Sequence, residues 1–186
     1  VVIGDVAGKG VPAALIMATF RALLRARREL EVGAAGGPAA TVAAVSRLLR
    51  ESTATRAFVT CCYAALDPAS GEIVYASCGH PPGLIARAGG GADAPAAAPD
   101  GRPALGELEN CGPALGAFEH ETFVERRVTL DPGDCLLLFT DGLTEALNPA
   151  GEAFGSERVR AALAELAGRR EISAVRLADE LVHRVI

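Results

Sequence analysis

The stretch IGDVAGKGVPAAL, Ile3 to Leu15, sets Asp5 and Lys9 among Gly4, Gly8 and Gly10, just ahead of an apolar, helix-like run. Two chemistries use such residues. A glycine loop at a helix N-terminus cradles phosphate with backbone N–H groups and a lysine. A strand-end aspartate instead holds a hard divalent cation. The phosphate loop requires four residues between its glycines, then Lys and a hydroxyl; here Gly4 and Gly8 are separated by three, and Gly10 replaces the hydroxyl. A dinucleotide fingerprint fails as well, because its glycine triplet is absent and no βαβ unit follows.

The carboxylate reading fits better. Asp5 closes the apolar run that opens the chain, and Asp141 closes CLLLFTDG, Cys135 to Gly142. Two aspartates at the ends of two central strands suit Mg²⁺ or Mn²⁺, which prefer oxygen ligands and keep several waters. Taken singly, each Asp reads more simply as a turn or helix N-cap residue. Their matched placement favours metal.

Other residues fill supporting roles. Lys9 is the only lysine among eighteen basic side chains. It reads either as a position that wants a compact ammonium, giving phosphate a local positive field, or as chance. Thr140 and Thr144 flank Asp141 and can brace groups around it. Glu145 can reach a metal-bound water, or serve as an acid in the first turn of a helix. His80 precedes two prolines; it either lines a substrate cleft as a proton carrier or, more simply, packs with its ring bonded to backbone. His120 and His183 read as surface residues. Cys78 and His80 have no third group to orient them, which argues against a Cys–His nucleophile.

The elements that must position these groups follow from pattern. Val1 to Ile3 reads as a buried strand, and Pro12 opens a helix to about Arg28 with Leu15, Ile16, Thr19, Phe20, Leu23 and Leu24 on one side. After a break at Gly33 to Pro38 comes a second helix, Ala39 to Ser52. Ala57 to Asp67 and Glu72 to Gly79 form a hairpin around PASG. HPPG is a rigid loop, LIARA a third strand, and Gly89 to Pro103 a mobile loop. His120 to Leu130 alternates as a half-exposed strand, and Cys135 to Gly142 is a further strand. Helices at Ser156 to Ala167 and Ile172 to Val185 close the chain. This order is α+β, with antiparallel sheets.

The bulk numbers agree. The 186 residues suffice for one domain with a real core, and half are apolar without a run of membrane-spanning length. A net charge of −5 and the lack of any basic run interleaved with aromatics argue against nucleic acid. Five cysteines without a CxxC pair suggest reduced, cytoplasmic thiols. The chain opens in mid-strand with no leader pattern, so a fragment of a longer protein is expected.

GDVAGKGVPAALIM, GHPPGLI, PALG and LLLFTDGLTEALNPAGEAFG, in this order, resemble the SpoIIE/RsbU branch of the metal-dependent protein serine/threonine phosphatases of the protein phosphatase 2C type. The resemblance spans residues 1–186 and implies an α-β-β-α sandwich. It implies two Mn²⁺ or Mg²⁺ ions holding a water that attacks phosphoserine or phosphothreonine in line. Asp5 matches the bridging metal ligand, Val6 would offer its backbone carbonyl, and Asp141 matches a second metal aspartate. The two N-terminal helices resemble a regulatory switch for that site. The implied substrate is a phosphorylated anti-anti-sigma-type protein, with sensor or receiver domains elsewhere in the full-length chain. A homodimer stays open, and direct membrane contact by this segment is not expected. The family also carries an acid in a strand upstream of GDV and an Asp after the last helix. Neither Asp93, Asp100 nor Asp179 stands in for these. The chain as read therefore resembles a domain truncated at both ends, expected to bind metal weakly or not at all. The alternative is a non-catalytic relative that binds a partner through the same fold.

Overall fold

The computed structural model describes residues 1–30, 36–52, 57–89, 103–169 and 172–185. The expected loop from Gly89 to Pro103, with Asp93 and Asp100, lies outside them except for its two end residues. So does Gly33 to Ala35 of the helix break. In order, the elements are β1 Val2–Val6, α1 Gly10–Leu30, α2 Pro38–Ser52, β2 Val59–Leu66, β3 Glu72–Cys78 and β4 Leu84–Arg87. They continue as β5 Ala104–Glu107, β6 Arg126–Thr129, β7 Cys135–Leu137, α3 Asp141–Thr144, α4 Ser156–Ala167 and α5 Ala174–Val185. All strand pairings are antiparallel, as the α+β reading requires.

The chain divides into two compact units. The first comprises Val1–His80 and Glu109–Thr129. Its sheet runs β1-β2-β3-β6, with β2 and β3 inside. Helices α1 and α2 pack on each other, α1 against β1 and α2 against β2 and β3. Ile16, Phe20 and Leu24 of α1 and Val42, Val45 and Leu49 of α2 are buried, one stripe per helix. The hairpin turn is built by Asp67, whose carboxylate accepts from Ala69 N–H and Ser70 Oγ, while Gly71 takes φ +73°.

The strand expected over His120 to Leu130 is real only at Arg126–Thr129. The residues before it are claimed by α2. Arg50 donates to the carbonyls of Phe118 and Glu119, Ser46 Oγ donates to Glu121, and Glu121 accepts from Phe118 N–H. A segment tied down this way cannot also run in a ladder.

The second unit comprises Pro81–Leu108 and Leu130–Ile186. Its sheet runs β5-β4-β7. Leu84 and Ala86 of β4 pack with Phe139 and with Val159, Leu163 and Leu166 of α4 and Leu177 and Leu181 of α5. Strand β5 was not anticipated, since its short ALGE lacks the period-two contrast of a strand. Four of the five cysteines are buried and Cys135 is half-buried; all are free thiols. No helix among the described residues is long and apolar enough to cross a membrane.

Candidate metal centre

Asp5 lies within β1, one residue before its end, directly across the ladder from Thr60. The strand is therefore longer than the apolar run suggests. It is also an outer strand of its sheet among the described residues, not the central one expected. Gly4 makes this placement work. A Cβ there would stand 2.8 Å from the Thr60 carbonyl oxygen and 3.4 Å from the Phe20 ring. Its absence lets α1 close on β1, and alternation turns Asp5 to the opposite face, which it shares with Thr60.

Val6 is positioned differently. Its register partner Val59 exchanges both backbone bonds with Leu115, at 3.0 and 2.7 Å. Ala7 N–H donates to Phe58 and Ala64 N–H to Val1, so the odd-numbered residues carry the ladder to β2. The carbonyl of Val6 is thus turned to the outer edge of β1, where no strand pairs among the described residues. This is the geometry a main-chain oxygen ligand needs.

The loop after β1 holds Gly8 at φ +115° and Gly10 at φ +76°, with open space where either Cβ would sit. These glycines supply backbone conformation, not close approach. Lys9 between them is exposed and immediately precedes α1.

His80 enters the same unit through Gly79, whose φ of +61° and 2.9 Å approach to the Ala114 nitrogen exclude any larger residue. His80 is 7% exposed, and its Nδ1 lies 3.0 Å from Thr60 Oγ1. The simpler expectation was a ring bonded to backbone; the ring has this side-chain partner. Thr60 Oγ1 also lies 3.5 Å from the Asp5 carbonyl oxygen, at the outer limit of a hydrogen bond. Thr60 was missed in the sequence because a threonine in a strand is ordinary. Only the register with Asp5 marks it.

Asp141 belongs to the second unit. Strand β7 ends at Leu137, and Asp141 is instead the first residue of the four-residue α3, preceded by Thr140 in extended conformation. The carbonyl of Asp141 accepts from Glu145 N–H at 2.7 Å and Thr144 Oγ1 at 3.0 Å. Thr144 thus braces the main chain of Asp141, while Thr140 makes no side-chain cap. Gly142 would carry a Cβ 3.5 Å from Thr140 Oγ1, and Glu145 is exposed. Asp134 was also missed. Its carboxylate accepts from Arg87 at 2.7 Å, Ala88 N–H at 2.9 Å and Asp131 N–H at 3.1 Å, tying the turn before β7 to the end of β4.

The donor chemistry at each place suits a hard cation: the exposed carboxylates of Asp5 and Asp141 and the outward carbonyl of Val6. Yet among the described residues no three His, Cys, Asp or Glu side chains gather as a metal site. These residues alone do not complete a two-metal centre.

The family model for Stage II sporulation protein E (SpoIIE) matches residues 1–186. Among curated proteins, Protein IcfG of Synechocystis sp. is 30% identical over 92% of this chain and 29% of its own length. Phosphoserine phosphatase RsbU of Bacillus subtilis is 26% identical over 81% of this chain and 40% of its own length. The chain thus spans well under half of either relative. Among solved structures, the RsbU and RsbW domains of Rv1364c from Mycobacterium tuberculosis align with TM-score 0.73 and 30% identity, over 99% of this chain and 46% of that one. The SiaA-PP2C domain of Pseudomonas aeruginosa aligns with TM-score 0.74 and 24% identity, over 99% and 66%, and shares the fold.

Proposed function

The chain belongs to the SpoIIE family, the SpoIIE/RsbU-like branch of the PP2C-type phosphatases, and from that premise we propose that it hydrolyses phosphoserine or phosphothreonine on a regulatory protein of the anti-anti-sigma type. The observation that carries this reading is the pairing of Asp5 with the outward carbonyl of Val6 on an outer strand, two adjacent oxygen donors with no competing partner strand among the described residues. Asp141, exposed at the start of α3, is by the family resemblance a second metal aspartate. Mn²⁺ or Mg²⁺ bound in the complete protein would supply an activated water and neutralise phosphoryl charge. The substrate class is supported by the RsbU relative, a phosphoserine phosphatase. A cytoplasmic setting is supported by the free thiols, and sensor or receiver domains by the length of the relatives beyond the matched region.

One observation favours a second reading, a relative that binds a partner without catalysis: the absence of a three-ligand cluster among the described residues. Calorimetric titration of Mn²⁺ into residues 1–186 and into the full-length protein separates the two. The phosphatase reading expects weak binding in the segment and tight binding, with Mn²⁺-dependent phosphate release, in the longer protein. Weak binding in both supports the partner-binding reading.

A further inference from the structure

The second unit carries a cavity of about 260 Å³. Pro81, Pro82, Leu84 and Phe139 line it together with Thr144, Ser156, Glu107 and Arg160. We propose that this cavity is a specificity pocket that takes one apolar side chain of the polypeptide segment bearing the phosphorylated residue. The proposal rests on the reading above, that Asp141 belongs to a phosphatase site.

Size argues for a side chain. Pockets for whole small-molecule ligands run from about 300 to 1,000 Å³, and this one falls short of that range. Charge argues for an apolar one. Among the described residues the charged groups lining the cavity, Arg160 and Glu107, are joined to each other in an ion pair. A charged side chain entering would lose its water and find no free counter-charge.

Position argues for a residue near the phosphate. Thr144 lines the cavity and also donates to the main-chain carbonyl of Asp141 at 3.0 Å. Phe139, on the opposite flank of Thr140, precedes Asp141 by two residues. A peptide that presents phosphate at Asp141 advances about 3.3–3.6 Å per residue, so the cavity falls within reach of a nearby position. The pocket is also stiff. Pro81 and Pro82 fix the backbone, and Leu84 is held in the ladder opposite both Glu107 and Leu137 with its back on the core. A preformed wall spares the ordering cost of binding.

The test uses the full-length protein and a set of fluorescent phosphoserine peptides on an all-alanine background, with Leu placed at one position at a time. Affinity is read by anisotropy and phosphate release in parallel. One Leu position is expected to bind roughly 10- to 100-fold tighter than the parent, the worth of burying one such side chain. Ser156→Phe, which fills the cavity from α4, is expected to erase that preference, and Ser156→Thr to keep it. Pro82→Phe fills the cavity from a second lining position and serves where the first variant does not fold. Equal affinity across the series, or a Leu preference that survives both filled variants, overturns the pocket. A Leu preference erased by filling, in a protein that releases no phosphate, upholds the pocket and overturns the phosphatase reading instead.

Discussion

Thr60 stands directly across the β1–β2 ladder from Asp5 and holds the ring of His80 by a hydrogen bond of 3.0 Å. One hydroxyl thereby links the strand that carries the first candidate metal ligand to the loop that follows β3. The hydroxyl has a single proton. If His80 Nδ1 carries hydrogen, Thr60 accepts from the ring and can turn its own proton toward the Asp5 carbonyl; otherwise it donates to the ring.

Thr60→Val keeps the shape and removes the hydroxyl. The buried ring loses a partner, which costs about 1–3 kcal/mol. Urea unfolding of the variant should show a lower midpoint at unchanged slope. An unchanged midpoint would mean that the bond contributes nothing to holding His80.

Asp134 should matter more than its place in a DPGD turn suggests. Its side chain is 3% exposed and accepts three hydrogen bonds, one of them from Arg87. Burial works against its charge, but the bonds from Ala88, Arg87 and Asp131 prevail and hold its pKa below the usual carboxylate value. Asp134→Ala should destabilise the protein by about 2–4 kcal/mol, since it removes the buried acceptor of an Arg87 bond and of two N–H groups. A thermal midpoint within a degree or so of the parent would contradict this, because a loss of about 1 kcal/mol already shifts Tm by several degrees.

Acid should act visibly on the α4–α5 pair. Glu165 is held at about 2 against a usual 4.5, first by hydrogen bonds from Arg184 and then from Arg169. A depressed folded-state pKa means that the unfolded chain binds the proton more readily. The contribution is therefore complete above about pH 4.5 and lost as pH falls toward 2. Because the group is exposed, the effect is also screened by salt. Thermal midpoints of the parent and Glu165→Gln should differ at neutral pH, converge on acidification, and lie closer together at high salt. A gap that widens on acidification would contradict the assignment.

Much of this was legible in the sequence, for identifiable reasons. Ser156–Ala167 carries a clear helical stripe and begins after a glycine at φ +81°, so its limits were readable. The PASG hairpin was readable from its turn residues. The ends of strands were harder. Asp5 lies inside β1 because ladder bonds continue to Ala7, past the last large apolar residues of the opening run. Asp141 starts a helix because Leu138 to Thr140 leave the ladder, although all of CLLLF is apolar. Thr60 and Asp134 act through cross-strand register and through a turn folding back on β4. Those are long-range relations that no local pattern encodes. For the site itself, the sequence indicated which residues carry oxygen donors. The structure adds that Val6 turns its carbonyl away from β2, and that among the described residues no three His, Cys, Asp or Glu side chains gather.

The most direct measurement is Mn²⁺-dependent phosphate release from a phosphoserine peptide by the full-length protein and its Asp5→Asn variant. Asn keeps the size of the side chain and removes the charge that a hard cation requires. With several kcal/mol of transition-state stabilisation resting on the metal, turnover should fall by about 10²-fold or more, with an unchanged unfolding midpoint and a weakened Mn²⁺ affinity. Full activity and full Mn²⁺ affinity in Asp5→Asn would contradict the assignment of Asp5 to the metal centre.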